Sequence, residues 1–435
     1  MKAIVIFNIK FALTVAVVFP LSFPVFALAG LEATARAEGP VIELGGATEP
    51  PAPTVSQPVS SPSSPASSPP SSSPPSSPPW QGATIGGSAI GGYGELTLNA
   101  PGTGPAIVDL RRFVLYVGHN FTDRLRFSSE IEVEHAVSSA DDQGEVEIEQ
   151  AYLDGLFTRR FNLRGGLILM PVGIINLYHE PTTFNGVDRP DVDLLVIPST
   201  WREPGIGLFG ELATGLNYQL YVVNGLNANG FSAGAGLADG HQEAQLAAAR
   251  DFGVVGRLAY EPRLGTALGL SGYFATAGNS LRPTVGQVPV GLVEVDARTR
   301  LGGFSARAEL AFAFVGDAGN LDRALAAGST EQMAAGAVAS RMQGGYLEAA
   351  YDLLRFLPNP TDQSLTLFAR FDHANTQARL PAGFAADRSR VRYTTTAGLS
   401  YRPIPNIALK ADYRRHEFGA GPGFNELASA ITWMF

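Results

Sequence analysis

The sequence predicts an all-β protein: a transmembrane antiparallel β-barrel of about 16 strands with an inward-folded third outer loop. Three observations support this prediction. Apolar and polar residues alternate with a period of two from about residue 88 onwards, and short connections alternate with long ones. In the last strand Ile431, Trp433 and Phe435 share one face and finish on an aromatic ring, as the closing strand of an outer-membrane barrel does.

Composition excludes several classes of function. The chain has 435 residues, no cysteine and a formal net charge of −9. The lack of cysteine excludes disulfides, thiolate metal sites and a cysteine nucleophile, and the negative charge argues against a nucleic-acid partner. Beyond the N-terminus no run of about 18 apolar residues could span a bilayer as a helix, although composition alone would equally fit a soluble all-β protein.

Residues 1–37 are predicted to form a secretory signal peptide. A basic start precedes an apolar stretch at residues 11–31, and the small residues at 35–37 have the spacing of a cleavage site. Residues 27–29 offer an earlier cleavage site. The apolar stretch is long enough for a membrane anchor, but two prolines interrupt it and favour cleavage.

Residues 38–84 are rich in proline and serine and predict a periplasmic linker. Such a segment lacks the apolar residues needed for a core and favours extended, polyproline-like conformations. It acts either as a plain spacer or as a tether that contacts peptidoglycan. The barrel itself is predicted for residues 85–435.

Sixteen segments have the alternation, and roughly the 9–11 residues, expected of tilted membrane-spanning strands. They lie near residues 88–99, 105–118, 123–135, 145–156, 160–170, 204–213, 215–224, 251–261, 264–275, 288–298, 303–314, 342–353, 363–374, 391–402, 405–416 and 425–435. An even number of strands brings both ends of the barrel to the periplasmic side, where the linker would lie. A closed barrel also leaves no strand edge unpaired in the bilayer.

The period-two pattern also assigns a direction to charged side chains. A barrel of roughly 16–18 strands encloses water, so a charge on its inner face stays solvated. On the lipid face, an arginine or lysine near the bilayer midplane costs about 2–4 kcal/mol. We therefore expect these side chains to point into the lumen: Arg257, Arg298, Arg307, Glu309, Glu348, Arg370, Asp372, Lys410, Asp412 and Arg414.

The third and fourth predicted strands are dense in carboxylates. A connection centred near residue 140 would pair Glu134 with Glu145, Glu132 with Glu147, and Glu130 with Glu149. Like charges at this spacing repel, so cationic side chains should lie close by. The candidates are Arg124, Arg126, Arg164, and Arg111 or Arg112. The patch is either a salt-bridge lattice that stiffens the wall or a surface that attracts cations or binds a divalent ion. No cofactor and no defined set of metal ligands is predicted.

The third outer connection, at residues 171–203, is too long and too apolar for a solvated loop. Residues 194–197 and Trp201 need burial. We expect the connection to fold into the lumen and narrow it, with these polar residues at the constriction: His179, Glu180, Asp188, Arg189, Arg202 and Glu203. The alternative is a loop packed on the barrel rim or at an oligomer contact.

Several segments are similar to a known family. They are residues 91–96, 129–135, 149–154, 171–181 and 198–203. Across roughly residues 85–435 the chain resembles outer-membrane porins related to the phosphate-selective porin O/P group. The resemblance implies a sixteen-stranded barrel that assembles as a homotrimer and turns its third loop inward. Phosphate-binding members line the pore with rows of arginine and lysine, whereas this chain has mixed charge and a glutamate-rich wall.

These observations predict a non-enzymatic porin of the bacterial outer membrane. Small hydrophilic solutes or ions would diffuse passively through it, filtered by lumen charge and by the loop constriction. The expected partners are outer-membrane lipid, the solutes and, from the resemblance, two further copies of the chain. Three alternatives stay open: a phosphate- or anion-selective channel, a structural or adhesive barrel, and a barrel hydrolase. The hydrolase is least favoured, since none of the six histidines lies in a recognisable nucleophile motif.

Overall fold

The computed structural model describes residues 83–85, 87–139, 142–328, 336–357 and 362–435. The predicted signal peptide (1–37) and all but the last residues of the predicted linker (38–84) lie outside these ranges. The described residues form β-strands joined by connections that contain a few short helices.

Seventeen strands are present in the described ranges. They are β1 (Ala83–Ile85), β2 (Ser88–Pro101), β3 (Ile107–Asn120), β4 (Leu125–Glu134), β5 (Val146–Leu156), β6 (Asn162–Leu169), β7 (Arg202–Ala213), β8 (Leu216–Asn224), β9 (Phe252–Arg263), β10 (Thr266–Thr276), β11 (Pro289–Leu301), β12 (Phe304–Val315), β13 (Arg341–Asp352), β14 (Ser364–Arg379), β15 (Val391–Ile404), β16 (Ile407–Phe418) and β17 (Phe424–Met434). The α-helices are α1 (Asp191–Leu195), α2 (Arg282–Val285) and α3 (Ala318–Gly328). Single 3₁₀ turns occur at Ala228–Gly230, Ala238–Gly240, Asn279–Leu281, Leu353–Phe356 and Arg388–Arg390. No helix in the described part of the chain is both long and apolar enough to cross a membrane.

Strands β2 to β17 pair antiparallel in sequence order, and β17 pairs back with β2 to close a sixteen-stranded barrel. The closure ends at Phe435, whose N–H and carbonyl both hydrogen-bond to Gly92 at 2.9 Å. β1 adds to the first residues of β2, beyond the point where β17 ends. The predicted all-β barrel is confirmed, and this fold confirms the predicted location in the bacterial outer membrane.

The sixteen barrel strands coincide with the sixteen predicted segments to within a few residues, and the predicted alternation of short and long connections is confirmed. The largest difference is at β14, which runs to Arg379 rather than residue 374 and leaves only residues 380–390 for the connection that follows. At the end with long connections, residues 419–423 make a second short one besides residues 102–106.

Alternation along β12 shows how the sequence builds the two faces of the wall. Leu310, Phe312 and Phe314 are exposed on the outside, while Glu309 and Ala311 between them are buried. The outer side chains belong to the apolar band that faces lipid. The charged residues expected to point inward lie on the opposite face from this band. Glu309, Glu348, Arg370, Asp372, Lys410, Asp412 and Arg414 are buried, and Arg257, Arg298 and Arg307 are half-buried.

The largest cluster of buried apolar side chains lies inside the barrel. It combines inner-face residues of β5 to β13, such as Tyr273 and Leu292, with residues of the long connections, such as Leu226 and Leu321. Trp201 is fully buried in it and meets the ring of Tyr273 edge-on, with 4.7 Å between centroids. Packed apolar groups therefore fill one side of the interior. Buried charged groups dominate the other side, from β14 through β17 to β5.

The lipid-facing position of Leu310 generates a stability prediction. Leu310 lies midway along β12 and is 53% exposed on the outer face. Replacement by arginine should lower the free energy of unfolding by about 2–4 kcal/mol, because the charge would have to enter the hydrocarbon core. Reversible guanidinium unfolding of the barrel in lipid vesicles measures this loss.

Leu301→Arg is the matched control. Leu301 also faces outward, but it is the last residue of β11, beside the turn, where the cost falls to about 0–1 kcal/mol. Equal losses at both positions would contradict the assignment of the apolar band.

Candidate functional site

A cavity of about 560 Å³ lies between strands β2–β5 and the connection from β6 to β7. We call it the acidic cavity. Its carboxylates are Glu95, Glu132, Glu134, Glu145, Glu147, Asp188 and Glu243, and its guanidinium groups are Arg111, Arg112, Arg189 and Arg202. With every group ionised, these seven carboxylates exceed the four arginines by three charges.

The glutamates of β4 and β5 meet partly in the predicted register. Glu132 lies opposite Glu147, as predicted. The predicted pairing of Glu130 with Glu149 is wrong, because a β-bulge places Glu130 opposite Gln150. A bulge bends the strand and redirects its side chains. Both Glu130 and Glu149 are fully buried here, whereas the other members of the patch line the acidic cavity.

Two arginines neutralise part of this glutamate wall. The Nε of Arg112 lies 3.0 Å from Glu95 and 3.7 Å from Glu132. Arg202, at the start of β7, pairs with Glu147. The expected cationic partners therefore exist, but one of them comes from the connection side rather than from a neighbouring strand.

Three other arginines predicted to answer the glutamates lie elsewhere. Arg124 is in the exposed turn before β4, and Arg126 is half-buried near the same end. Arg164 on β6 pairs with Asp154 at 2.8 Å and stacks over the ring of Tyr152 at 3.9 Å. These positions correct the prediction. The period-two alternation assigns each residue to the correct face of the wall. These arginines, however, lie at the ends of their strands near the short turns, whereas the glutamates lie toward the opposite ends.

The connection at residues 170–201, which we call the inner connection, satisfies its N–H groups with carboxylates of the inner wall. Gly173 donates to Glu294 at 3.2 Å, Val187 to Asp412 at 2.7 Å, and Asp191 to Asp372 at 3.1 Å. Gly173 has a φ of +77°, and a Cβ there would collide with the carboxylate of Glu309. Only glycine fits this close approach of backbone to wall.

Cationic side chains of β12 to β16 donate to carbonyls of the same connection. Arg307 reaches Thr183 at 2.7 Å, Arg402 reaches Thr182 at 2.8 Å, Lys410 reaches Gly186 at 2.8 Å, and Arg370 reaches Asp188 at 3.2 Å. Lys410 also donates to Pro181 and lies 4.1 Å from the ring centroid of Phe184. The basic side chains expected along the pore therefore bind the inner connection.

Asp188 holds the inner connection to two strands at once, because it pairs with Arg111 on β3 and with Arg414 on β16. We call this arrangement the Asp188 clamp. Burial favours the neutral acid, but the two guanidinium groups outweigh burial and hold the pKa of Asp188 well below its usual range. Stabilisation from a depressed pKa is present above the unfolded value, about 3.9, and is lost only as the pH falls through the lower folded value.

Only part of the predicted constriction borders the acidic cavity. Asp188, Arg189 and Arg202 line it, whereas His179, Glu180 and Glu203 are buried outside its lining. Burial raises the pKa of Glu180. Of residues 194–197, Val196 and Ile197 are buried as expected, but Leu194 is exposed to the cavity.

Two predicted wall arginines lie away from the acidic cavity. Arg257 pairs with Glu294 at 3.3 Å and with Asp296 at 2.5 Å. Arg298 lies 5.2 Å from the ring centroid of Tyr178 in the inner connection. Both positions are on the inner face, where they support the wall and the connection.

The sequence prediction did not include Glu95, His241 and Glu243, which line the cavity. Glu95 shares the inner face of β2 with Tyr93 and Thr97, so the alternation rule could have identified it. His241 and Glu243 lie in the connection between β8 and β9, where no periodic pattern gives a direction.

Residues 230–234 match the Gly-x-Ser-x-Gly pattern of serine hydrolases. They lie in the connection between β8 and β9, where the Oγ of Ser232 accepts a hydrogen bond from the N–H of Ala235 at 3.0 Å. A nucleophile elbow needs a turn between a strand and a helix. Among the described residues no histidine hydrogen-bonds to Ser232, and the segment lies outside any strand-to-helix turn, so the match lacks the geometry of a nucleophile elbow.

Solved structures with this fold include outer-membrane channels. Salmonella typhi OmpF in complex with daunomycin superposes with a TM-score of 0.54 at 14% identity, covering 80% of this chain and 97% of OmpF. DcaP, an outer membrane channel of Acinetobacter baumannii, has a TM-score of 0.52 at 12% identity, covering 82% and 100%. An anion-selective porin from Comamonas acidovorans has a TM-score of 0.50 at 11% identity, covering 80% and 99%. At these identities the likeness establishes the fold, a porin-type barrel.

No protein-family profile matches the chain. A sequence relative is an uncharacterized protein of Aquifex aeolicus (strain VF5), 37% identical over 354 residues, which are 80% of this chain and 80% of the relative. The chain therefore belongs to the same family as this Aquifex aeolicus protein.

Proposed function

We propose that the protein is a porin: a passive outer-membrane channel for small hydrophilic solutes, with a preference for cations. The observation that carries this proposal is the acidic cavity, which lies within a closed barrel and has three more carboxylates than arginines along its walls. A cleft lined by an excess of one charge raises the local concentration of ions of the opposite sign.

The contents of the barrel suggest a route for permeation. Sixteen strands enclose more space than their own side chains can fill. The apolar cluster occupies the side formed by β5 to β13. We infer that solutes pass along β2–β5, with the inner connection as the narrowest point of the route.

The preference for cations follows from which charges are already paired. Arg111 is engaged by Asp188 and Arg202 by Glu147, so their fields are largely cancelled. Glu134 is half-buried and Glu145 is exposed, and neither forms a salt bridge within the described ranges. Arg189 is the one cavity arginine without a salt bridge within the described ranges, so these two carboxylates outnumber it and leave the cavity with uncompensated negative charge.

An anion-selective channel, including a phosphate-selective one, is the second candidate. It is favoured by the four arginines at the cavity, which together could bind a phosphate through several N–H donors. Under this alternative the arginines would exchange their carboxylate partners for the permeating anion.

Two further features are proposed on sequence grounds alone. The homotrimer rests on the resemblance to porins, and chemical crosslinking in membranes tests it. Contact between the Pro/Ser-rich linker (38–84) and peptidoglycan is tested by co-sedimentation with isolated peptidoglycan. No catalytic role is proposed.

Neutralising the unpaired carboxylates should weaken cation selectivity. We expect Glu134→Gln combined with Glu145→Gln to lower the cation-to-anion permeability ratio several-fold, because it reduces the charge excess from three to one. The measurement is the reversal potential of the purified protein in a planar bilayer under a potassium chloride gradient, repeated with added phosphate.

Glu417→Gln is the control, since Glu417 is exposed at the end of β16 and does not line the cavity. Anion selectivity of the unaltered protein, with chloride current blocked by phosphate, would establish the second candidate instead. Folded, heat-modifiable protein without conductance would refute both.

Opening the Asp188 clamp should enlarge the passage. We expect Asp188→Asn to raise single-channel conductance and current noise, because Arg111 and Arg414 would no longer hold the inner connection by charge. Recording in about 1 M potassium chloride reduces the Debye length to about 3 Å and separates this steric effect from a change in lumen charge.

Asp387→Asn removes the same charge from an exposed outer connection and serves as the control. Because the pKa of Asp188 is depressed, the clamp should stay charged as the pH is lowered from 8 to about 5, so conductance of the unaltered protein in about 1 M potassium chloride should not rise to the Asp188→Asn level over that range. Unchanged conductance in Asp188→Asn would show that the clamp does not set the width.

A further inference from the structure

We propose that Glu130, Glu149 and His179 form a binding site for one transition-metal cation such as Zn²⁺, which ties the inner connection to the glutamate wall. Passive diffusion requires no bound metal, so this site lies beyond the proposed function. It also departs from the sequence prediction, in which no set of metal ligands was defined.

The three side chains come together from separate elements. Glu130 is on β4, Glu149 on β5 at the bulge, and His179 on the inner connection. The Nε2 of His179 lies 3.3 Å from Glu149 Oε1 and 3.8 Å from Glu130 Oε2, and one ligand atom from each residue falls within 4.8 Å of the others. Two ligands at about 2.0–2.1 Å from a tetrahedral zinc ion lie about 3.4 Å apart. The spacing therefore suits one small cation.

The imidazole of His179 is oriented as in metal sites. Its Nδ1 lies 3.2 Å from the carbonyl of Asn176 and donates to it, which directs Nε2 toward the two carboxylates. Histidine ligands of metals commonly donate their other N–H to a carbonyl in this way. Asn176 is itself fixed, because its side chain donates to Met170 at 2.7 Å and accepts from the N–H of Trp201 at 2.7 Å.

The burial of the Glu130 and Glu149 carboxylates is a second, independent indication of a metal site. Both are fully buried, and among the described residues neither oxygen of Glu130 nor the Oε1 of Glu149 accepts a hydrogen bond of regular geometry, although Gln150 lies near Glu130 and His179 Nε2 lies 3.3 Å from Glu149 Oε1. A buried charge without a partner is costly, and a bound cation removes that cost. The Oε2 of Glu149 accepts from the hydroxyl of Tyr93 at 3.0 Å, which would hold this ligand in place.

Nearby fixed cations do not balance the site. Glu180 is also buried, with one oxygen that accepts no hydrogen bond from the described residues. Arg112 lies next to the cluster but is engaged by Glu95 and Glu132, and Arg189, which acts electrostatically on Glu149 and Glu180, forms no salt bridge with either among the described residues. His179 can bind a metal only as the neutral imidazole, so one divalent cation balances the charges of its two carboxylate ligands, Glu130 and Glu149.

The ligand types define the class of metal. One imidazole nitrogen with two carboxylates suits zinc, manganese or iron(II), whereas calcium and magnesium prefer oxygen ligands alone. Glu132 shares the inner face of β4 with Glu130 and borders the acidic cavity, so a cation in the cavity lies close to the site. Zinc is the most practical probe because it is redox-inert.

The test uses the full chain, purified in detergent, stripped with a chelator and titrated with zinc chloride. We expect one zinc ion per chain, and X-ray absorption should show nitrogen and oxygen ligands at about 2.0–2.1 Å, including one imidazole. His179→Ala and Glu149→Gln should each weaken zinc binding more than about 100-fold. Excess magnesium chloride should not compete.

His416→Ala is the matched control and should leave zinc affinity unchanged, because within the described part of the chain His416 pairs with a single carboxylate, Glu426 at 3.1 Å. Absence of zinc binding by the unaltered protein, or equal affinity in His179→Ala, would overturn the assignment. If a variant fails to fold, the absorption spectrum of the unaltered protein decides, since zinc without an imidazole ligand excludes this site. Zinc binding is measured independently of conductance, so the channel proposal and the metal-site proposal can each be refuted without the other.

Discussion

Every main-chain polar group that crosses a bilayer must find its partner within the protein, and the rest of this structure depends on that requirement. Pairing of β17 with β2 meets it by leaving no free edge in the ring. Closure also confines the inner faces of sixteen strands. Charged side chains there must be satisfied by one another, by water or by chain that enters the barrel. The inner connection supplies part of that satisfaction, through N–H groups to carboxylates and carbonyls to arginine and lysine.

These contacts divide the interior of the barrel into an apolar side and a charged side. On one side the inner connection contributes apolar residues such as Ile175, Ile197 and Trp201 to a packed cluster. On the other side it presents its polar backbone and Asp188 to the charged wall. One segment therefore acts both as core and as counter-charge. The space that is left lies against β2–β5, where carboxylates prevail.

Much of the fold could be predicted from the sequence because a period of two is a local property. The alternation around Glu309 and Leu310 fixes strand, face and orientation without knowledge of any partner. The register of Glu130 could not be predicted, because a single bulge residue alters the pairing and has no signature in the composition. The hydrogen-bond partners of Lys410 and Arg307 could not be predicted either. The alternation indicates that a charged side chain points inward, but the pattern is the same whether that side chain faces water or the carbonyl of a distant connection.

The seam between β17 and β2 has a consequence for the order of assembly. Across it the side chain of Asn99 donates a hydrogen bond to Glu426, and the two residues are separated by 327 positions along the chain. Contacts of such long sequence separation form slowly, because the entropy of bringing the two strands together must be lost first. Glu426 also contacts His416 and Arg414, and Arg414 binds the inner connection. A ring sealed without that segment would leave Arg414 without Asp188, so closure of the seam and placement of the inner connection are coupled through one arginine.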